Sequence, residues 1–301
     1  VNPAACSTEQ VAISQSEYRD FMASIQSISS GLTLGGDGIW YGVGASKVSY
    51  PDDGHHACLA VEDRSFWFRH RNACIKAAIA AYPPDDHGTI FDIGGGNGFV
   101  SLALAKAGYD MVLVEPGRSG AVSAKQRGLP HVVCATTSSA RFHPCSLPAV
   151  GLFDVIEHIA DEVAFLCTIR ELMRPSGLLY ITVPAYPLLW SADDVTAGHF
   201  RRYTRRSITR TLAETGFSIE FATYFFRFLP FPIFALRTTP FILGITRKKQ
   251  LILDVERDHA VRGGISATIL RKLLQPEVAA ISLGKPLKFG GSCLVVARRC
   301  A

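Results

Sequence analysis

Short apolar runs alternate with amphipathic stretches along most of this chain. The apolar runs fall at 89–93, 110–114, 131–135, 147–153, 178–183, 217–224 and 292–298. Most are dense in Val, Ile, Leu and Phe, which suits strands buried on both faces of a mostly parallel sheet. The stretches between them read as helices. One spans 98–107 and stops at Gly108; another spans 119–127 and stops at Gly128. A third covers 161–173, with Leu166, Ile169, Leu172 and Met173 on one face and Pro175-Ser176-Gly177 behind it. A fourth opens at Thr204 and ends at Gly216. Such alternation predicts an α/β, doubly wound fold.

Upstream, 63–82 reads as a helix stopped by Pro83-Pro84. Tyr18, Phe21, Met22, Ile25 and Ile28 predict an amphipathic helix over 10–30. Between these, Trp40, Tyr41, Tyr50, Phe66, Trp67 and Phe68 crowd an irregular segment that must pack on something, as a docked lobe or a cap over a substrate. The expected organisation is a cap segment at 1–62 and one domain at 63–301, carrying a lid or insertion at about 225–290 with an amphipathic helix around 265–274. The most apolar stretch is 225–245, but Pro230, Pro232, Pro240, Arg227 and Arg237 break it. A transmembrane segment is therefore not expected. A lid, a homodimer surface or part of an acceptor pocket fits better, with interfacial membrane contact as the lesser alternative.

The chemistry concentrates at Thr89 to Gly98, T-I-F-D-I-G-G-G-N-G. A strand, a glycine turn and a helix start make a nucleotide-binding corner, because the backbone can approach a ligand and present its N–H groups. The dinucleotide spacing G-x-G-x-x-G fails, since its third glycine would fall on Phe99. The spacing is instead Gly94, Gly96, Gly98, with Asp92 ahead and Glu115 closing the second apolar run. A carboxylate there can accept both hydroxyls of a ribose. This D-x-G-x-G-x-G…E arrangement resembles the class I S-adenosylmethionine-dependent methyltransferases. The resemblance implies a seven-stranded Rossmann-like sheet, its last strand antiparallel between the fifth and sixth, and S-adenosylmethionine as cofactor. Asp92, Gly94, Gly96, Gly98 and Glu115 would bind it. Position 135, often acidic in that family, is Ala. The run E-D-R-S-F-W-F-R-H-R-N also resembles the family's opening helix, so Arg69 or Arg71 could meet the cofactor's carboxylate.

Methyl transfer from a sulfonium needs mainly orientation, plus a base when the acceptor must lose a proton. The fourth strand ends F-D-V-I-E-H-I, giving Asp154, Glu157 and His158; D-V-x-E-H resembles the ubiquinone-biosynthesis O-methyltransferases. After the fifth strand a long loop carries Tyr186, Trp190, Asp193, Asp194, His199 and Tyr203. The expected catalytic residues are His199, His158, Glu157 and Asp154; Tyr186, Trp190 and Tyr203 are the expected acceptor-binding residues. The same acids and histidines could hold a divalent metal. The small-RNA 2′-O-methyltransferases carry a related E-x-x-E-H, where this chain has Asp first. Arg201, Arg202, Arg205, Arg206 and Arg210 form a basic run, read as a solvated helix start or a site for an anionic acceptor.

Composition changes this picture little. A length of 301 residues, 48% hydrophobic content and net charge of +5 allow a sizeable core and do not by themselves indicate nucleic acid. Eight cysteines without a C-x-x-C pair suggest neither zinc nor a disulfide framework. They, and the lack of a signal peptide, lead to the expectation of a cytoplasmic protein. The reading is a methyltransferase acting on an oxygen of a small organic or glycan acceptor. Its rivals are a metal-assisted RNA 2′-O-methyltransferase and a non-catalytic cofactor-binding partner.

Overall fold

The computed structural model describes residues 25–44, 65–85, 88–245 and 265–301, the side chains of the last segment from 272. Most of the cap and the 10–30 helix lie outside the described residues, as do Tyr50 and Tyr18. Nine strands form one sheet in the order β1-β2-β5-β4-β3-β6-β7-β9-β8. The seven expected from the sequence are β3 (Ile90–Ile93), β4 (Met111–Val114), β5 (Val132–Cys134), β6 (Leu147–Phe153), β7 (Met173–Pro184), β8 (Phe217–Phe225) and β9 (Ser292–Arg299). Strands β3 to β7 run parallel, and β9 inserts antiparallel between β7 and β8. The two unforeseen strands are β1 (Leu32–Leu34) and β2 (Trp40–Gly42), an antiparallel pair that extends the sheet beside β5. Three-residue strands give too few positions for a period to show, so the sequence offered only the aromatics. Trp40 is buried in β2, which explains one of those aromatics as sheet core rather than cover.

Helices cover both faces. On one, α1 (Phe66–Ala81), α2 (Phe99–Ala105) and α8 (Ile265–Ser282) meet Ile90, Met111, Ala149, Tyr180 and Val296. On the other, α5 (Glu162–Leu172) and α7 (Arg205–Glu214) meet Phe91, Val112, Val150, Ile181 and Val295. The remaining short helices are α3 (Arg118–Gln126), α4 (Thr137–Ala140) and α6 (Ala192–Ala197). Successive strand residues alternate between these clusters, so both sheet faces are dry, which is why the strands read as continuous apolar runs. After β8 the chain turns into a short helical segment: Pro230–Ile233, a π-helical turn Phe234–Thr238 and Thr239–Ile242.

One buried polar cluster fastens α8 and the turn after β8 to α1. Glu277 of α8 accepts Phe226 N at 2.7 Å and Arg227 N at 2.8 Å, and its Oε2 lies 2.9 Å from His70 Nε2 on α1. Cys74 lies one helical turn on, its sulfur 3.4 Å from that same nitrogen. Burial raises the Cys74 thiol well above its ordinary pKa, with the Glu277 charge adding to it. The carboxylate satisfies the two backbone N–H groups at the left-handed Phe226 turn, where ladder partners run out.

Candidate active site

A cavity of about 490 Å³ opens at the carboxyl ends of β3, β4, β5 and β6, where open α/β sheets place ligands. Gly94, Gly96 and Gly98 hold φ of 76°, 55° and 76°, the left-handed region that glycine enters without strain. The turn also has no room. A Cβ on Gly95 would lie 2.6 Å from Leu113 Cδ1 and 2.8 Å from Asp92 Oδ2. A Cβ on Gly98 would lie 2.5 Å from Leu129 Cδ1.

These distances assign different tasks to the two acids. Asp92 sits beneath the turn, fully buried, with Oδ2 accepting Ser101 Oγ at 2.5 Å from α2. Burial pushes its pKa up to about 6, against the lowering by Ser101 and Arg71. It braces the loop from behind. Glu115 instead reaches the loop from the next strand. Its Oε2 accepts Gly96 N at 2.8 Å and its Oε1 accepts Gly117 N at 2.6 Å. Burial raises it to about 7 even though both backbone bonds pull it down. Two carboxylate oxygens offer about four acceptor sites, the chemistry that hydroxyl donors need. Ala135, Thr136 and Thr137 follow at the end of β5 and line the same cavity.

Arg71 is the member of the sequence's arginine pair that enters the cavity; Arg69 is exposed on the far side of α1. The Arg71 guanidinium lies 4.9 Å from the Trp67 ring centroid and 5.3 Å from that of Phe68, and its Nη1 donates to Asp154 Oδ2 at 2.5 Å. Asp154 Oδ1 accepts Thr182 Oγ1 at 3.2 Å. Asp154 itself holds φ of 58° at the tip of β6, a strained conformation of the kind functional sites keep. With Arg71 and Thr182 on its oxygens, Asp154 is tied to α1 and β7 rather than hydrogen-bonded to the histidines.

Past it, a 3₁₀ turn, Ile156–His158, carries Glu157 and His158 into the cavity wall. Phe200 N donates to Glu157 O at 2.7 Å and pins the loop after β7 against this turn. The His158 and His199 rings then meet edge to face, centroids 4.7 Å apart. His199 Nδ1 lies 2.8 Å from Asp194 Oδ1, leaving Nε2 as the other ring nitrogen at the cavity. Asp194 is buried and also takes Arg202 Nε at 2.7 Å and Ser191 N at 2.9 Å. Burial alone would raise its pKa; the bonds from His199 and Arg202 outweigh it and hold Asp194 at about 2. Burial, reinforced by His199, lowers His158 to about 4, so it is neutral at physiological pH. Glu157 is pushed well above the usual carboxylate range by burial and then by Asp154, and its Oε2 is buried with no hydrogen-bond partner.

The metal question has a geometric answer in kind. Single donor atoms of Glu157, His158 and His199 lie within 4.8 Å of one another. One carboxylate and two imidazoles suit a divalent ion of oxygen/nitrogen preference, and a carboxylate behind one imidazole is the usual outer support for such a ligand. The partnerless Glu157 oxygen fits that set; Asp154, held by Arg71, does not join it.

Several sequence expectations change. Tyr186, Trp190 and Tyr203 are not among the residues lining this cavity. Tyr203 is buried and donates to Glu162 Oε2 at 2.7 Å, and Tyr186 stacks on Tyr224 at 5.2 Å. Tyr186 and Tyr203 thereby tie the loop to β8 and α5. The basic run is not a solvated helix start throughout: Arg201 pairs with Glu162, Arg202 with Asp194, and Arg205 lies over the Tyr224 ring. Asp194, Arg202 and Trp67 were named in the sequence only as members of a loop, a basic run and an aromatic segment, without the partners the fold gives them. The available signal was S-A-D-D-V-T-A-G-H, in which a Ser191–Asp194 capping box fixes the carboxylate and a Gly198 helix end returns His199 toward it.

The Methyltransferase domain family matches residues 67–220, and the chain belongs to it. It is a class I S-adenosylmethionine-dependent methyltransferase, as the glycine corner implied. Curated relatives include ubiquinone biosynthesis O-methyltransferases of Parvibaculum lavamentivorans, 29% identical over 138 residues (42% of this chain, 54% of the relative), and of Brucella anthropi, 27% over 152 residues (49% and 52%). The chain thus matches about half the length of these relatives. Among solved structures, Haemonchus contortus phosphoethanolamine N-methyltransferase 2 with S-adenosyl-L-methionine aligns with a TM-score of 0.50 at 18% identity, covering 85% of this chain and 59% of that one. The plantazolicin methyltransferase BamL aligns at 0.50 and 14%, covering 84% and 92%. These two similarities concern the fold.

Proposed function

We propose that this protein transfers a methyl group to an oxygen of a small organic acceptor, with His199 as general base. The observation that carries the proposal is the Asp194–His199 pair at the cavity wall, 2.8 Å between Oδ1 and Nδ1. A bound S-adenosylmethionine would supply an electrophilic methyl on a good leaving group. The glycine turn and the Glu115 carboxylate would receive its ribose, and Arg71, buried beside Trp67 and Phe68, its carboxylate end. Asp194 fixes the His199 tautomer and turns Nε2 toward the acceptor hydroxyl. As the hydroxyl loses its proton, Nε2 takes it, and Asp194 stabilises the imidazolium. The partly apolar walls at Trp67, Phe68, Phe153 and Phe165 exclude water from the transfer path. The ubiquinone-related relatives support oxygen as the acceptor atom.

Turnover with simple phenols and catechols as probe acceptors tests this. His199→Ala should cut it by about 10²–10⁴-fold with S-adenosylhomocysteine affinity unchanged. Full activity in the variant would remove His199 as base. A second reading is favoured by the partnerless Glu157 oxygen: Glu157, His158 and His199 hold a divalent ion, which would polarise the acceptor oxygen and lower its pKa. Activity that survives exhaustive chelation excludes that reading and leaves the base.

A further inference from the structure

The segment after β8 keeps little of its apolar surface inside. From Pro230 to Ile245 only Pro230 and Thr238 are buried. Phe231 is 73% exposed, Leu236 74%, Ile242 67% and Leu243 65%. Phe228, Phe234, Phe241 and Ile245 are exposed as well. Single exposed leucines are ordinary, but an aromatic-rich helix with this much apolar surface marks an interaction site.

Its charge says what kind. Exposed Arg227 flanks the apolar side chains, and the sequence adds Arg247, Lys248 and Lys249, while Arg237 is paired with Asp193; no Asp or Glu occurs between Glu220 and Asp254. A two-fold pairing of this face with a second copy would bring the segment's arginines toward one another without an acid of the same segment to separate them. Apolar and aromatic side chains rimmed by arginine match a bilayer surface carrying anionic headgroups. Among the described residues no helix is long and apolar enough to cross a membrane, so contact would be with the surface.

The segment is also joined to the acceptor side of the site. Arg237 Nη1 lies 3.0 Å from Asp193 Oδ2, next to Asp194. Phe231 meets Phe289 at 5.7 Å, and Phe289 meets Tyr186 at 5.5 Å. Leu188, Val195 and Phe200 are exposed on the same acceptor loop.

We infer that the helical segment 230–245 is a docking surface for an anionic lipid bilayer and holds the acceptor loop at the membrane interface. The inference stands on exposure and charge, independent of which atom is methylated. Vesicle co-sedimentation of the full chain tests it, with phosphatidylcholine alone and with phosphatidylcholine containing phosphatidylglycerol. Binding is expected to the anionic vesicles and to weaken as salt is raised. The triple variant Phe231→Ser, Leu236→Ser, Leu243→Ser should lose at least about tenfold in partitioning. Its S-adenosylhomocysteine affinity should stay at the unsubstituted value, which verifies folding and separates this result from any failure at the catalytic site. Equal sedimentation of both proteins, or none with either vesicle, overturns the inference. A concentration-dependent dimer dissolved by the same substitutions overturns it too, and gives the face to a second copy.

Discussion

Glu115 should make cofactor affinity depend on pH in a way that isolates its role. In the folded chain its carboxyl is raised from an ordinary 4.5 to about 7, by burial first, against the pull of Gly117 and Gly96. Ribose hydroxyls arriving as donors need the ionised acceptor. Binding therefore selects carboxylate, returns the group toward its ordinary pKa and releases a proton below pH 7. At about pH 5 a group of pKa 7 is ionised in only about one molecule in a hundred, so affinity should be about 100-fold weaker than at pH 8, near 2.7 kcal/mol. S-adenosylhomocysteine titrations by calorimetry, in two buffers of different ionisation enthalpy, read both the affinity and the proton count. Glu115→Gln should bind weakly at every pH, with the Glu115-linked slope gone. An affinity that is flat from pH 5 to 8 in the unsubstituted protein, with the fold intact, would refute the assignment. The same shift has a stability consequence of opposite sense. Because the folded pKa lies above the unfolded one, stability without ligand should fall as pH rises from about 4.5 to 7, by about 3 kcal/mol at most.

Gly96→Val should abolish S-adenosylhomocysteine binding and lower the thermal midpoint modestly, because a β-branched residue at φ 55° costs about 1–2 kcal/mol. Unchanged titration heats would take the glycine turn out of the site. Asp194→Asn should reproduce most of the His199→Ala loss, at about 10²-fold or more, and add little to it in the double variant, since the two act as one unit. Additive losses would separate them. Asp194 is held near 2, below its ordinary 3.8, so its stabilisation is present above about pH 4 and is lost as pH falls toward 2, about 2–3 kcal/mol in all. The difference in denaturant midpoint between the unsubstituted protein and Asp194→Asn should accordingly narrow as pH falls from about 4 toward 2; a constant difference would argue against a depressed Asp194.

The sequence by itself determined the sheet and the glycine corner, because both depend on local rules. Strands dry on both faces must be apolar at nearly every position, Asp92 and Thr182 near the strand ends excepted, and a left-handed turn pressed against Leu113 and Leu129 must be glycine. Those constraints are written residue by residue and can be read that way. What lies across the sheet edge was decided only by the tertiary structure. Asp154 and His158 are four residues apart, yet Arg71 from α1 claims the first and His199 from the acceptor loop meets the second. Tyr186, Trp190 and Tyr203 looked like acceptor contacts, but packing turned Tyr203 onto Glu162 and Tyr186 onto Tyr224. Arg202 looked solvated until the fold buried Asp194 beside it. A side chain's neighbours along the chain are fixed by covalent geometry, whereas its partners across space are chosen by which elements the core brings together. The β1–β2 pair makes the same point, since strands of three residues gain their order from the edge of β5 they extend and not from a periodicity of their own.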